Sequence, residues 1–125
     1  MVVEKPTLDV KTAIICFQFA ERIKSELIIA AKLSEYISGL RGDELVGAEK
    51  LISSFFNALS GEIQIAYNVL GMRNFEEANT KVTEAADRIR SHEYLEATRR
   101  ISEAISFITT SGQHAMQALK ENGLL

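Results

Sequence analysis

Carboxylates, two histidines and one cysteine are the side chains of this 125-residue chain whose types could do chemistry. A di-iron centre built on helices needs Glu-x-x-His pairs on two of them. His92 is preceded three positions earlier by Ile89 and His114 by Ser111, so neither histidine completes that pair. Glu84-x-x-Asp87 and Glu93-x-x-Glu96 flank a single turn. Magnesium demands several oxygens in octahedral array, and a solvated helix face accounts for Glu84 and Asp87 more simply. Cys16 is the only cysteine, which excludes an intrachain disulfide. Among Ile14, Ile15 and Phe17 it reads as a small buried hydrophobe.

Two families of helical enzymes arrange similar groups. All-α nucleotide pyrophosphohydrolases of the MazG type place Glu-x-x-Glu before Glu-x-x-Asp. Here the order is reversed and only a turn separates the pairs. HEPN ribonucleases pair an arginine with a histidine a few residues downstream. The nearest case, Arg88 and His92, is too close and falls across a helix end. No glycine-rich phosphate loop, Cys/His cluster or nucleophile elbow is present. No catalytic residue, cofactor or metal ligand is therefore assigned.

Two groups remain as interaction candidates. Arg88, Arg90, Arg99 and Arg100, with His92, surround the turn at 90–93, and arginine is well suited to phosphate contacts. Glu84, Asp87, Glu93, Glu96 and Glu103 are interleaved with them. The spacings Glu84–Arg88, Asp87–Arg90 and Glu96–Arg99 predict ion pairs along helix surfaces. The second group is uncharged: Asn57, Gln64, Asn68, Thr109, Thr110, Gln113 and His114. These either belong to an interface or line a ligand pocket inside the bundle.

Four helices are expected to position these groups. The first covers Leu8 to Leu40 and carries two apolar stripes. One runs Val10, Ala13, Ile14, Phe17, Ala20, Leu27, Ile28 and Ala31; the other runs Ile15, Phe19, Ile23, Ala30, Leu33, Ile37 and Leu40. A helix apolar over so much of its circumference is buried. Thr7 or Asp9 is its expected cap, after Pro6. The second helix opens at Asp43 and runs to about Leu70. It has an apolar stripe through Leu45, Ala48, Ile52, Phe55, Leu59, Ile63, Ala66 and Leu70, widened by Leu51, Phe56 and Val69. Its opposite face reads Gly47, Lys50, Ser54, Asn57, Gly61, Gln64 and Asn68, and Glu62 is the only charge between Leu51 and Met72. Charge is depleted at interface centres.

Asn74 is the expected cap of the third helix, and the fourth runs from Tyr94 to about Lys120, with a kink or fray expected near Gly112. The third and fourth helices repeat one pattern at an offset of 19 residues. Glu77/Glu96, Ala78/Ala97, Glu84/Glu103, Ala85/Ala104 and Ile89/Ile108 match identically, and Phe75/Tyr94, Lys81/Arg100 and Val82/Ile101 match in kind. The aromatic-x-Glu-Ala start and small-alanine rhythm resemble those of tetratricopeptide-like helices. That repeat's Trp and Leu-Gly positions are missing, and no function is carried over. The short linker predicts an antiparallel hairpin.

Together these features predict an all-α, four-helix up-and-down bundle over residues 1–125. The net charge of −3 is spread evenly and marks no nucleic-acid or membrane surface. No run of about 20 apolar residues is long enough to cross a membrane, and Glu4, Lys5 and Pro6 do not fit a signal peptide, so a cytoplasmic protein is expected. The double stripe of the first helix and the shortness of the third predict a homodimer, the commonest oligomer. The expected role is a non-catalytic interaction or scaffold module. A nucleic-acid-binding subunit using the basic turn, and a ligand-binding or enzymatic bundle, are the alternatives.

Overall fold

In the computed structural model, which describes residues 8–125, four helices follow one another: α1 (Val10–Ile37), α2 (Gly42–Leu70), α3 (Arg73–Arg90) and α4 (Tyr94–Glu121). They pack as a bundle in which each helix lies against its sequence neighbours and α1 lies against α4. The pairs are antiparallel. Arg22 of α1 meets Glu62 of α2, Asn79 of α3 meets Ser60 of α2, and Lys81 of α3 meets Glu103 of α4. Asn74, at the start of α3, reaches Ser111, far along α4.

The core has a strict rhythm of three and four. On α1 the buried residues are Ala13, Cys16, Ala20, Ile23, Leu27, Ala30, Ser34 and Ile37. On α4 they are Ala97, Ile101, Ala104, Ile108, Ser111, Ala115, Ala118 and Leu119. Such a seven-residue repeat keeps one narrow seam facing the neighbouring helices along the whole length. The seam of α1 runs between the two stripes read from the sequence and draws on both. It also takes in Cys16 and Ser34, which neither stripe contained. The flanks, including Phe17, Phe19 and Leu33, are half-buried against the neighbouring helices. Much of the apolar width of α1 is thus covered within the chain.

Small residues dominate the contact between α1 and α4. A Cβ placed on Gly112 would lie 3.3 Å from Ala20 Cβ, so the two backbones approach closely there. That approach accounts for a glycine inside α4, which continues unbroken to Glu121. The helix does not fray at Gly112, because packing on both sides of it outweighs the low helix propensity of Thr109, Thr110 and Gly112. Ser34 returns its hydroxyl to Ala30 O (2.9 Å), and Ser111 Oγ accepts from Asn74 Nδ2 (3.1 Å), so both buried hydroxyls are satisfied.

The helix ends differ in detail from the expectations. Asp9 caps α1 by accepting from Thr12 N at 2.7 Å; Pro6 and Thr7 lie outside the described residues, as do Glu4 and Lys5. α1 stops at Ile37 rather than Leu40, and α2 begins at Gly42, whose φ is +63°, rather than at Asp43. Asn74 is not a cap: α3 already begins at Arg73, and Asn74 turns its side chain across to Ser111. On α2, Phe56 rather than Phe55 fills the core, whereas Leu51 and Val69 point outward.

The 19-residue repeat maps onto the core. Ala78 and Ala97, Val82 and Ile101, Ala85 and Ala104, and Ile89 and Ile108 are all buried. Its polar positions join the two copies: Lys81 lies 3.4 Å from Glu84 and 3.0 Å from Glu103, and Arg100 lies 3.2 Å from Glu103. α3 is the short helix, at 18 residues against 28 for α1 and α4. The last turns of α4 therefore run past its start, which leaves an open cleft of about 990 Å³ at that end.

Gly112→Leu is expected to destabilise the fold by about 1–3 kcal/mol, the usual cost of overpacking. Gly112→Ala is expected to be close to neutral, because a gain in helix propensity of about 1 kcal/mol offsets a contact only slightly too close. Urea unfolding of both variants checks the pair; equal losses would contradict the close approach.

Candidate functional site

The uncharged candidates lie on the outside of the bundle. Asn57, Gln64, Asn68, Gln113 and His114 are exposed, as is Thr110, and Thr109 is half-buried. The core they were expected to line is closed by apolar side chains, with Ser34 and Ser111 the buried polar residues among those described. They also fall into separate groups. Gln64 donates to Asn68 (3.0 Å) and accepts from Asn79 of α3 (3.3 Å), and Ser60 donates to Asn79 (2.6 Å). His114 lies instead on the end cleft, beside Asn74, Ser111 and Gln117.

The four arginines all have carboxylate partners. Arg90 pairs with Asp87 and Arg99 with Glu96, as their spacing predicts. Arg88 turns to Glu93 (2.9 Å) rather than to Glu84, which is taken by Lys81. Arg100 lies between Glu96 and Glu103. The turn is thus a lattice of ion pairs with no unopposed basic face.

A cluster that the sequence does not announce sits beside that turn. His92 is the one non-glycine residue with positive φ (+61°) among those described. It takes the left-handed position that ends α3: its own N–H reaches Ile89 O at 3.0 Å, and Glu93 N–H reaches Arg88 O at 2.8 Å. Glycine normally occupies this place. The His92 ring brings Nδ1 within 2.7 Å of Glu49 Oε1 and 3.1 Å of the Tyr94 hydroxyl, and Tyr94 donates a hydrogen bond to the same carboxylate. Glu49 comes from α2, 43 residues away from His92. Nothing in the local spelling of either segment points to the other.

The electrostatics of the cluster follow from this geometry. The Tyr94 hydroxyl, and next the His92 ring, hold the Glu49 carboxyl below its ordinary range. Burial, and then the Glu49 carboxylate, push the Tyr94 phenol up to about 12. The phenol therefore stays protonated and acts as a donor, which ties the α3–α4 turn to α2. Burial likewise pushes the Cys16 thiol up to about 11, which leaves it protonated and unreactive. Among the described residues no group of three histidine, cysteine, aspartate or glutamate side chains is placed to hold a metal ion.

The remaining feature is the outer face of α2. Leu51 is 75 % exposed, Ile65 56 % and Val69 57 %, and Ala58 is exposed between them. Gly47 and Gly61 lie on the same face, inside the helix, where an added Cβ would meet nothing within 4 Å. Each costs the helix roughly 1 kcal/mol relative to alanine, and no contact within the chain requires it. On the α1 side Arg22 pairs with Glu62 and, at 3.4 Å, with Glu26. Ile29 and Tyr36 of α1 are exposed as well. Ile14 and Ile28 of α1 are exposed too, so the apolar surplus expected on α1 is present there and is matched by a second one on α2.

Comparison with family models, with curated proteins and with solved structures gave no match to this chain. No helix among the described residues is long and apolar enough to cross a membrane.

Glu49→Gln is expected to lower stability by about 1.5 kcal/mol at neutral pH, the low end of the range for a hydrogen bond to a charged group. A depressed carboxyl contributes stability above its unfolded pKa and loses it as pH falls through the folded value. The gap between the two proteins should therefore narrow in acid. At the alkaline end, the raised phenol contributes stability below its unfolded value, and that contribution is lost as pH climbs towards about 12. Thermal melts across pH test both signs; a gap unchanged in acid would show that the carboxylate charge is irrelevant.

Proposed function

We propose that this protein is a non-catalytic interaction module that acts as a homodimer, with the outer face of α2 as its contact surface. The observation that carries this reading is the combination on that face of large exposed apolar side chains, Leu51 and Ile65, with almost no charge. Helix surfaces facing water alternate with lysine and glutamate, whereas contiguous exposed apolar patches mark interaction sites. Asn57, Gln64 and Asn68 flank the patch and supply hydrogen-bonding groups at its rim, as interface rims generally do. The two contact-free glycines add support, because they allow another helix to approach closely at a cost that the isolated chain has no need to bear.

Contact with nucleic acid through Arg88, Arg90, Arg99 and Arg100 draws no support from their geometry, since each is opposed by a carboxylate. Ligand binding has one feature in its favour, the end cleft with His114 and Gln117 on a partly apolar floor that includes Leu8, Met72 and Ala118. Its volume suits a small molecule. A ligand there should shift the His114 ring resonances in an NMR screen, and an unresponsive His114 would remove that alternative.

Light scattering over a range of concentrations tests the main reading. The wild-type chain is expected to show the mass of a dimer. Leu51→Glu and Ile65→Glu should each weaken association by about 100-fold or more, because a large apolar burial is replaced by a desolvated charge. Their helical circular dichroism should be unchanged, as neither residue belongs to the core. A monomer at every concentration would defeat the proposal.

A further inference from the structure

The outer face of α2 is ordered as well as apolar. Leu51, Ala58 and Ile65 recur every seven residues, and Gly47, Ser54, Gly61 and Asn68 fall between them at the same interval. All seven are exposed. α2 therefore carries a second three-and-four seam, on the side away from its core residues Ile52, Phe56, Leu59, Ile63 and Ala66. A repeat of this kind presents one continuous stripe to a packed helix, yet no helix among the described residues lies there.

The order along the stripe is a palindrome. From its centre at Ala58, a small residue follows in each direction (Ser54 and Gly61), then a large aliphatic one (Leu51 and Ile65), then a small or short polar one (Gly47 and Asn68). Two-fold pairing of antiparallel helices brings each half of a stripe onto the other half of its copy. A partner of different sequence, or a parallel copy, has no need of such symmetry.

We infer that two copies of this chain pair through α2, antiparallel, with the two-fold axis at Ala58; this rests on the dimer reading above. Leu51 then packs beside Ile65 of the partner subunit, and Ser54 lies beside Gly61 of the partner subunit. Gly47 and Gly61 let the helices approach, which accounts for two glycines whose missing Cβ would meet nothing within 4 Å among the described residues. Asn57 sits at the axis facing its own copy, and Lys50 faces Gln64 of the partner subunit. Glu62 is already opposed by Arg22, so no like charges are brought together. Opposed helix dipoles favour this orientation over the parallel one.

Single cysteines added to the full chain test the register. Cys16 is buried and stays reduced, so the unaltered chain is the control. Under oxidising conditions Ala58→Cys is expected to give a covalent dimer. Ser54→Cys and Gly61→Cys are each expected to give none alone, because each position lies too far from its own copy: Ser54 is offset by about 12 Å, beyond disulfide reach. The two mixed and equilibrated together should cross-link. Self-linking of Ser54→Cys would overturn the antiparallel register in favour of a parallel one. A protein with dimeric mass in which none of these cysteines cross-links would overturn this pairing and leave the dimer reading standing. A monomeric mass for the unaltered chain would remove both.

Discussion

The close packing of α1 against α4 is the constraint on which the rest of the bundle depends. Ala13, Ala20 and Ala30 on one helix, and Ala97, Ala104, Ala115 and Gly112 on the other, keep the seam thin. Interaxial distance follows the size of the side chains at the contact. Large side chains, Ile23 and Leu27 on α1 and Ile101 and Ile108 on α4, alternate with these small ones and complete the core. Phe56, Leu59 and Ile63 of α2 and Phe75, Val82 and Ile89 of α3 belong to the same buried cluster. The longest helices thus form a tight pair, and the other two close over it.

The lengths of the helices then decide what is exposed. α3 is ten residues shorter than α4, and packing places its last turn level with the first turn of α4. The whole difference accumulates at the opposite end, where the cleft opens beside His114. At the end where α3 and α4 meet, the chain reverses tightly through His92, and Glu49 of α2 is held against it by Tyr94. A histidine in a left-handed position that glycine usually fills is a local cost, and contact with Glu49 is what distinguishes His92 from glycine there. The two ends differ in character: one is tied by a hydrogen-bonded cluster, the other is open.

Much of the fold was legible from spacing. Four helices, their order, the antiparallel hairpin at 75–108 and its buried alanines follow from apolar periodicity and the 19-residue repeat. The ion pairs Asp87–Arg90 and Glu96–Arg99 were equally legible, because partners on one helix surface are fixed by backbone geometry. The surface that carries the functional proposal was visible only in part. The lack of charge on the outer face of α2, with Asn57, Gln64 and Asn68 on it, is plain in the sequence. Leu51 is not marked as exposed there, because it also continues the apolar stripe of the core face. Two seams of the same period lie on α2, and periodicity alone does not tell which of them faces inward. The Glu49–His92–Tyr94 cluster had no local signal at all, since its members come from separate helices and a turn.

The sequence by itself determined which residues form helices and where the chain turns, because these rest on propensity and spacing over a few residues. It also determined how alike α3 and α4 are. Only the tertiary structure decided which of several apolar stripes became the core. On α1 the buried line fell between the two stripes and took in Cys16 and Ser34, and on α2 it took in Phe56 and left Leu51 outside. The reason is physical: a stripe is buried by whichever neighbours close over it, and the narrow α1–α4 contact determines how every other helix must turn.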